Sequence, residues 1–238
     1  MKPTVRALWP AAAILLLIAA TGCVQNGAYS GDTKYEPVSV PLSASKRADV
    51  HLDMGAGELV LRGGAQDLIQ GTLAYTAPDR RPIVDTSNEG SNTSVHIKEP
   101  SGVHFGPHMH YRWNLQVNDN PRLHLEVNCG AGKARLELGS LALENVKVNM
   151  GAGEVDVDLR GKPSQDYEVH VSGGVGKATI WLPSHVGIRA DAHGVLGSID
   201  VVGLEKTGNH YENGLYNHSD INIHVTVDGA IGEIRLIG

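Results

Sequence analysis

Six segments of the chain repeat one pattern: apolar residues at every second place, a turn built on paired glycines, then alternation again. They run Val50–Leu61 around Gly55-Ala56-Gly57, Leu125–Leu136 around Gly130-Ala131-Gly132, Val146–Val157 around Gly151-Ala152-Gly153, Val169–Ile180 around Gly174-Val175-Gly176, Ile188–Val201 around Gly194 to Gly197, and Ile223–Leu236 around Gly229 to Gly232. The last two turns read as two residues longer than the rest. A period of two belongs to strands with one buried face. No segment after the leader keeps a 3.6-residue period long enough for a helix. A corner between strands calls for positive φ, which glycine adopts at little cost, and 29 of the 238 residues are Gly. The expected fold is therefore all-β: a single-domain repetitive β-solenoid of stacked rungs with Gly-x-Gly corners. A β-sandwich of hairpins is the alternative, because such a corner can also reverse a chain.

Aligned repeats expose columns. The inward ones hold Leu59, Ala134, Val155, Ala178, Ile199, Ile234 and then Leu61, Leu136, Val157, Ile180, Val201, Leu236, a continuous aliphatic core of the kind a solenoid needs. The residue after the second Gly reads Glu58, Lys133, Glu154, Lys177, Ser198, Glu233, and two places on Arg135 precedes Asp156. Opposite charges on successive repeats suit neighbouring rungs in register. His51, His170 and His224 fall in one outward column with Glu126, Lys147 and Arg189, a surface whose charge would vary with pH. The last rung runs Glu233–Gly238 to the final residue, so its edge should be covered by the Leu204–Asp220 insertion or extended by another chain. Arg235 would be the charge that discourages addition.

The glycines do not read as nucleotide loops. A dinucleotide fingerprint needs a third Gly and a following helix, but Val60, Arg135, Asp156 and Thr179 stand at that place and strands follow. Gly132-Lys133 and Gly176-Lys177 end like a P-loop, yet Ala134 and Ala178 replace the Ser or Thr that would hold magnesium. No Gly-x-Ser-x-Gly or His-Glu-x-x-His occurs, so no catalytic residue and no cofactor is assigned. With 20 basic and 26 acidic residues, a nucleic-acid partner is not expected.

Met1–Arg6 is short and basic, Ala11–Ala20 is apolar but too short to span a bilayer, and Ala20-Thr21-Gly22-Cys23 closes it with small residues. Residues 1–22 read as a lipoprotein signal peptide, Cys23 as the lipidated residue, 23–45 as the lipidated Cys and a periodless tether, and 46–238 as the solenoid domain. Loss of Lys2 and Arg6 with the leader moves the formal charge from −6 to −8. Lipid on Cys23 leaves Cys129 alone, on an inward position, as a small buried hydrophobe rather than a nucleophile. The expected setting is the bacterial cell envelope, with the membrane held through the lipid and an envelope protein or polysaccharide as partner.

Trp113-Asn-Leu-Gln-Val117, the two Gly-Ala-Gly corners bracketing Leu136–Leu141, Gly174-Val-Gly-Lys-Ala-Thr-Ile-Trp-Leu-Pro183 and Gln70-Gly-Thr-Leu-Ala-Tyr75 resemble the toast-rack domains, an adhesin-like β-solenoid group. Similar domains form the extracytoplasmic ends of membrane proteins that regulate cell-wall-antibiotic responses. The resemblance spans roughly residues 45–238 and implies a non-catalytic scaffold, adhesin-like or sensory surface, with no catalytic residues to transfer. Two candidate sites remain. His104, His108 and His110 in the segment Val103–His110 have a spacing that could offer three nitrogens to zinc or copper, which makes an exported metal-binding module the alternative function. The insertion gathers His210, Tyr211, Tyr216 and His218 into one loop, a candidate binding surface.

Overall fold

The computed structural model describes residues 32–76, 80–100 and 111–238. They form β1 (Lys34–Val40), β2 (Arg47–Arg62), β3 (Ile69–Tyr75), β4 (Ile83–Glu89), β5 (Asn92–Lys98), β6 (Tyr111–Val117), β7 (Arg122–Glu137), β8 (Leu143–Asp158), β9 (Tyr167–Trp181), β10 (Gly187–Val202), β11 (Glu205–Thr207), β12 (His210–Glu212) and β13 (Asn222–Ile237). The fold is all-β, and among the described residues no helix is long and apolar enough to cross a membrane. The six repeats are β2, β7, β8, β9, β10 and β13. Each runs unbroken through its glycine corner and lies parallel to its neighbours. The corner therefore joins two arms of one rung instead of reversing the chain, which rules out the hairpin sandwich.

Stacking explains the second glycine of each corner better than turn geometry alone. Gly132 and Gly153 have φ of 128° and 132°, and a Cβ built on Gly153 would lie 1.9 Å from the carbonyl oxygen of Gly132 in the next rung. No side chain fits there. The register aligns Gly57, Gly132, Gly153, Gly176, Gly232 and Gly197 across the stack.

Spatial order is β2-β7-β8-β9-β13-β10. The last strand of the sequence is thus an interior rung, inserted between β9 and β10, and it is β10 that forms the edge. The expectation that Glu233–Gly238 would be the exposed edge is corrected accordingly. Its cause is the insertion, which carries the chain back past β10. The apparent two extra residues in the last two turns also vanish: Ala190–Val201 and Val225–Leu236 align with Val169–Ile180 without a gap. As a consequence His224 and Arg189 belong with Glu168, whereas the column of His51 continues through Glu126, Lys147, His170, Thr226 and Asp191.

Inward residues of both arms make one core, with Leu52, Leu61, Val127, Leu136, Val148, Val157 and Leu236 fully buried. Its thickness changes along the stack. The inward place next to the corner holds Met54, Cys129 and Met150 in the first rungs and then Gly173, Gly229 and Gly194. A cavity of about 80 Å³ opens beside those glycines.

Beyond β2 the two arms part. Its first arm pairs with β5 and then β4, its second with β6, β3 and β1. Residues 34–40, inside the stretch read as a tether, are β1. Only Val38 and Val40 alternate inward there, too few to reveal a strand by period. Pro37 is tolerated because β1 is an edge strand.

Candidate functional site

A groove of about 1110 Å³ crosses the stack at the glycine corners. Three columns line it. The outermost consists of Lys98, Asp53, Asn128, Asn149, Ser172, Asp228 and His193, one residue from each of seven consecutive strands. Six inter-strand spacings of about 4.8 Å make this column about 29 Å long. Beside it lie the Met54 and Gly55 columns, which are mostly glycine, from Gly173 onward in the first and from Gly55 to Gly174 in the second.

Hydrogen bonds run along the polar column in one direction. Ser172 Oγ donates to Asn149 Oδ1 at 2.7 Å, Asn149 Nδ2 to Asn128 Oδ1 at 2.6 Å, and Asn128 Nδ2 to Asp53 Oδ1 at 2.7 Å. His96 Nε2 closes the chain on Asp53 Oδ2 at 2.6 Å. Burial acts to raise the Asp53 carboxyl, but the Asn128 amide and His96 outweigh it and hold the group below its ordinary range. Each Asn spends one of its two amide hydrogens on the ladder.

Glu99 lines one end of the groove beside the corner amides of β2. β5 ends at Lys98 and β6 pairs only from Gly57, so among the described residues those amides have no strand partner on that side. Gly55 donates its N–H to Glu99 Oε1 at 2.7 Å. Burial pushes this carboxyl up, against the lowering effect of the Gly55 and Ala56 amides and of Arg80. Of the three trough carboxylates, Asp53 is held low in the ladder, Glu99 is engaged by backbone amides, and Asp228 lies further along the column.

Cys129 is 5% exposed and its thiol is pushed up to about 12, by burial first and then by Glu99 and Asp53; it packs as a core residue. The insertion residues hold the end of the stack. Tyr211 pairs with Ala190 across β12 and β10, and Lys206 Nζ sits 5.8 Å from its ring. His210 reaches Glu212 at 3.2 Å, and Tyr216 Oη lies 3.0 Å from His224 Nε2. His218 is exposed. Tyr211 packs against the core, and Tyr216 stands beside Arg189 and His224. Among the described residues no group of His, Cys, Asp and Glu is arranged to hold a metal ion, and His104, His108 and His110 lie outside them, as does Cys23.

Sequence reasoning missed the trough because its members sit on six repeats and β5, and the two-residue slip scattered Asp228 and His193. The charge column held the missing signal. In spatial order it reads Arg112, Glu58, Lys133, Glu154, Lys177, Glu233, with contacts of 2.8 Å, 2.9 Å and 3.2 Å for Arg112–Glu58, Lys133–Glu154 and Lys177–Glu233. Moving Ser198 to the end restores strict alternation and places β13 before β10.

Residues 29–181 match the family described as the N-terminal domain of toast_rack, DUF2154. A crystal structure of a protein from Clostridium sporogenes, provisionally described as a cell adhesion protein, superposes with a TM-score of 0.83 at 26% identity, covering 86% of this chain and 99% of that one. A provisionally described adhesin from Parabacteroides distasonis covers 87% of this chain and 98% of its own at 10% identity and a TM-score of 0.28. No curated protein matches. On the family match, the repeated glycine corners and the shared stack, this chain belongs to the toast-rack family.

Proposed function

We propose that the chain is a non-catalytic, adhesin-like binding module of the bacterial cell envelope, anchored through a lipid on Cys23, with the corner trough as its binding surface. The observation that carries this reading is the polar column over seven strands. A surface of that length, lined by amides, a hydroxyl and carboxylates on a glycine floor, suits an extended envelope polysaccharide better than a compact small molecule. The likeness to the Clostridium sporogenes protein agrees with it.

The test is capture by isolated cell-wall material. The double variant Asn128→Ala/Asn149→Ala should lose capture while still folding, since each ladder hydrogen bond contributes about 1 kcal/mol. Undiminished capture would move the binding surface elsewhere. The anchor is tested separately. Two or more acyl chains hold a protein on a membrane where one does not, so Cys23→Ser should release the protein from membranes. A variant that still sediments with them after a salt wash contradicts the lipid.

A further inference from the structure

The stack is finished at both arm ends on the β2 side and only in part on the β10 side. On the β2 side the arms end in β4 and β1, both antiparallel edge strands, the first carrying Asp85 and Glu89 and the second Lys34, Glu36 and Pro37, which are ordinary guards against strand addition. On the other side the insertion satisfies only the start of β10. β12 pairs with Arg189 and Ala190, and Asn213 Oδ1 accepts the Ile188 N–H at 3.0 Å. Among the described residues nothing pairs with Asp191–Val202 on that side. Besides Asp191, His193 and Asp200, this stretch exposes apolar side chains: Val195 is 80% exposed, Leu196 63%, Val202 50% and Ile199 38%.

We infer that Asp191–Val202 of β10 is a homodimer interface, pairing antiparallel with the same strand of a second copy across a two-fold axis at the glycine corner. The register follows from the faces. Along the stack, Ala192, Gly194, Ile199 and Val201 occupy inward columns, and Asp191, His193, Asp200 and Val202 outward ones. The corner therefore shifts the alternation by one. Residues opposite each other in an antiparallel pair share a face, so only pairings whose two numbers differ in parity keep both arms matched. Centring the axis between Leu196 and Gly197 uses the whole unpaired stretch. It sets Ile199 opposite Gly194 and His193 opposite Asp200, a ring N–H donor facing a carboxylate that also accepts from Arg235 of its own chain at 3.3 Å. Head-to-tail stacking does not offer this fit. The opposite end of the molecule presents two separate seven-residue antiparallel edges instead of one long rung.

The experiment is sedimentation velocity on the exported full chain carrying Cys23→Ser, so that acyl chains do not themselves drive association. A dimer is expected at micromolar concentration. Leu196→Lys should raise its dissociation constant about tenfold or more, while the melting temperature of the dilute monomer stays unchanged, because Leu196 already faces solvent. His193→Asp should weaken the dimer by opposing two carboxylates, and adding Asp200→Lys should restore it, which a purely nonspecific apolar contact would not do. A chain that stays monomeric at about 100 μM, a concentration-dependent series of longer polymers, or a dimer indifferent to all three variants overturns the inference.

Discussion

Glu99 and Glu144 acquire opposite dependences on pH from their surroundings. At Glu99 burial prevails over the Gly55 and Ala56 amides and raises the carboxyl, so the folded chain prefers it protonated. Its contribution to stability is complete below the unfolded value of about 4.3 and declines as pH rises through the raised folded value. Glu144 also meets burial, but Arg47 at 3.1 Å, Arg122 at 3.1 Å and His124 at 3.0 Å prevail and lower it. Its contribution is complete above about 4.3 and is lost as pH falls through the depressed value. Glu99→Gln should accordingly melt no lower than the parent at pH 7, with any gain closing below about pH 4. Glu144→Gln should lose about 1 kcal/mol at pH 7, and less in acid. Thermal melts at the two pH values check both signs, and a Glu99→Gln variant selectively weakened at neutral pH would contradict the assignment.

Within a rung, alternation made the fold legible: the inward positions read from the repeats enter the core or its lining, except Ile199 on the edge rung, which is 38% exposed. The arm after the corner was read correctly in all six repeats because the second glycine marks its start. The arm before the corner was misread in β10 and β13, where the first glycine stands at the Met54 place and not at the Gly55 place. β1 and the trough stayed hidden for another reason, since their partners are distant in sequence and no local period records them. The alternation also separates neighbours in consequence. Val155 is 2% exposed in β8, whereas Glu154 faces outward and meets Lys133 at 2.9 Å. Val155→Asp buries an unpaired charge, costing several kcal/mol against a total of about 5–15, and should unfold the domain. Glu154→Gln loses one exposed pair, under about 1 kcal/mol. Equal melting temperatures for the two would refute the assigned faces.

For the whole molecule, the exchange of β13 and β10 decides how the stack can be shortened. Stacked repeats draw their stability from neighbour interfaces, and β9 is the last rung whose sequence and spatial orders agree. The family match also closes at residue 181, where β9 ends. A chain ending at Pro183 removes β10 to β13 together and leaves β9 as an ordinary edge. A chain ending at Asp220 is longer but removes only β13, which takes away the one full-length partner of β10. Could β10 move over to fill the gap? It brings Ala190, Ala192 and Gly194 where β13 has Val225, Val227 and Gly229, so two valines would be replaced by alanines on a core that the glycines already thin. The longer chain should therefore keep its rungs to β9 and leave residues 187–220 unprotected. Limited proteolysis should trim it to a core ending between Trp181 and Gly187, with the melting temperature of the shorter chain. Full protection of β10 in that truncation would instead mean that it docks directly on β9, and that strand order is set by the insertion rather than by the fit of β13.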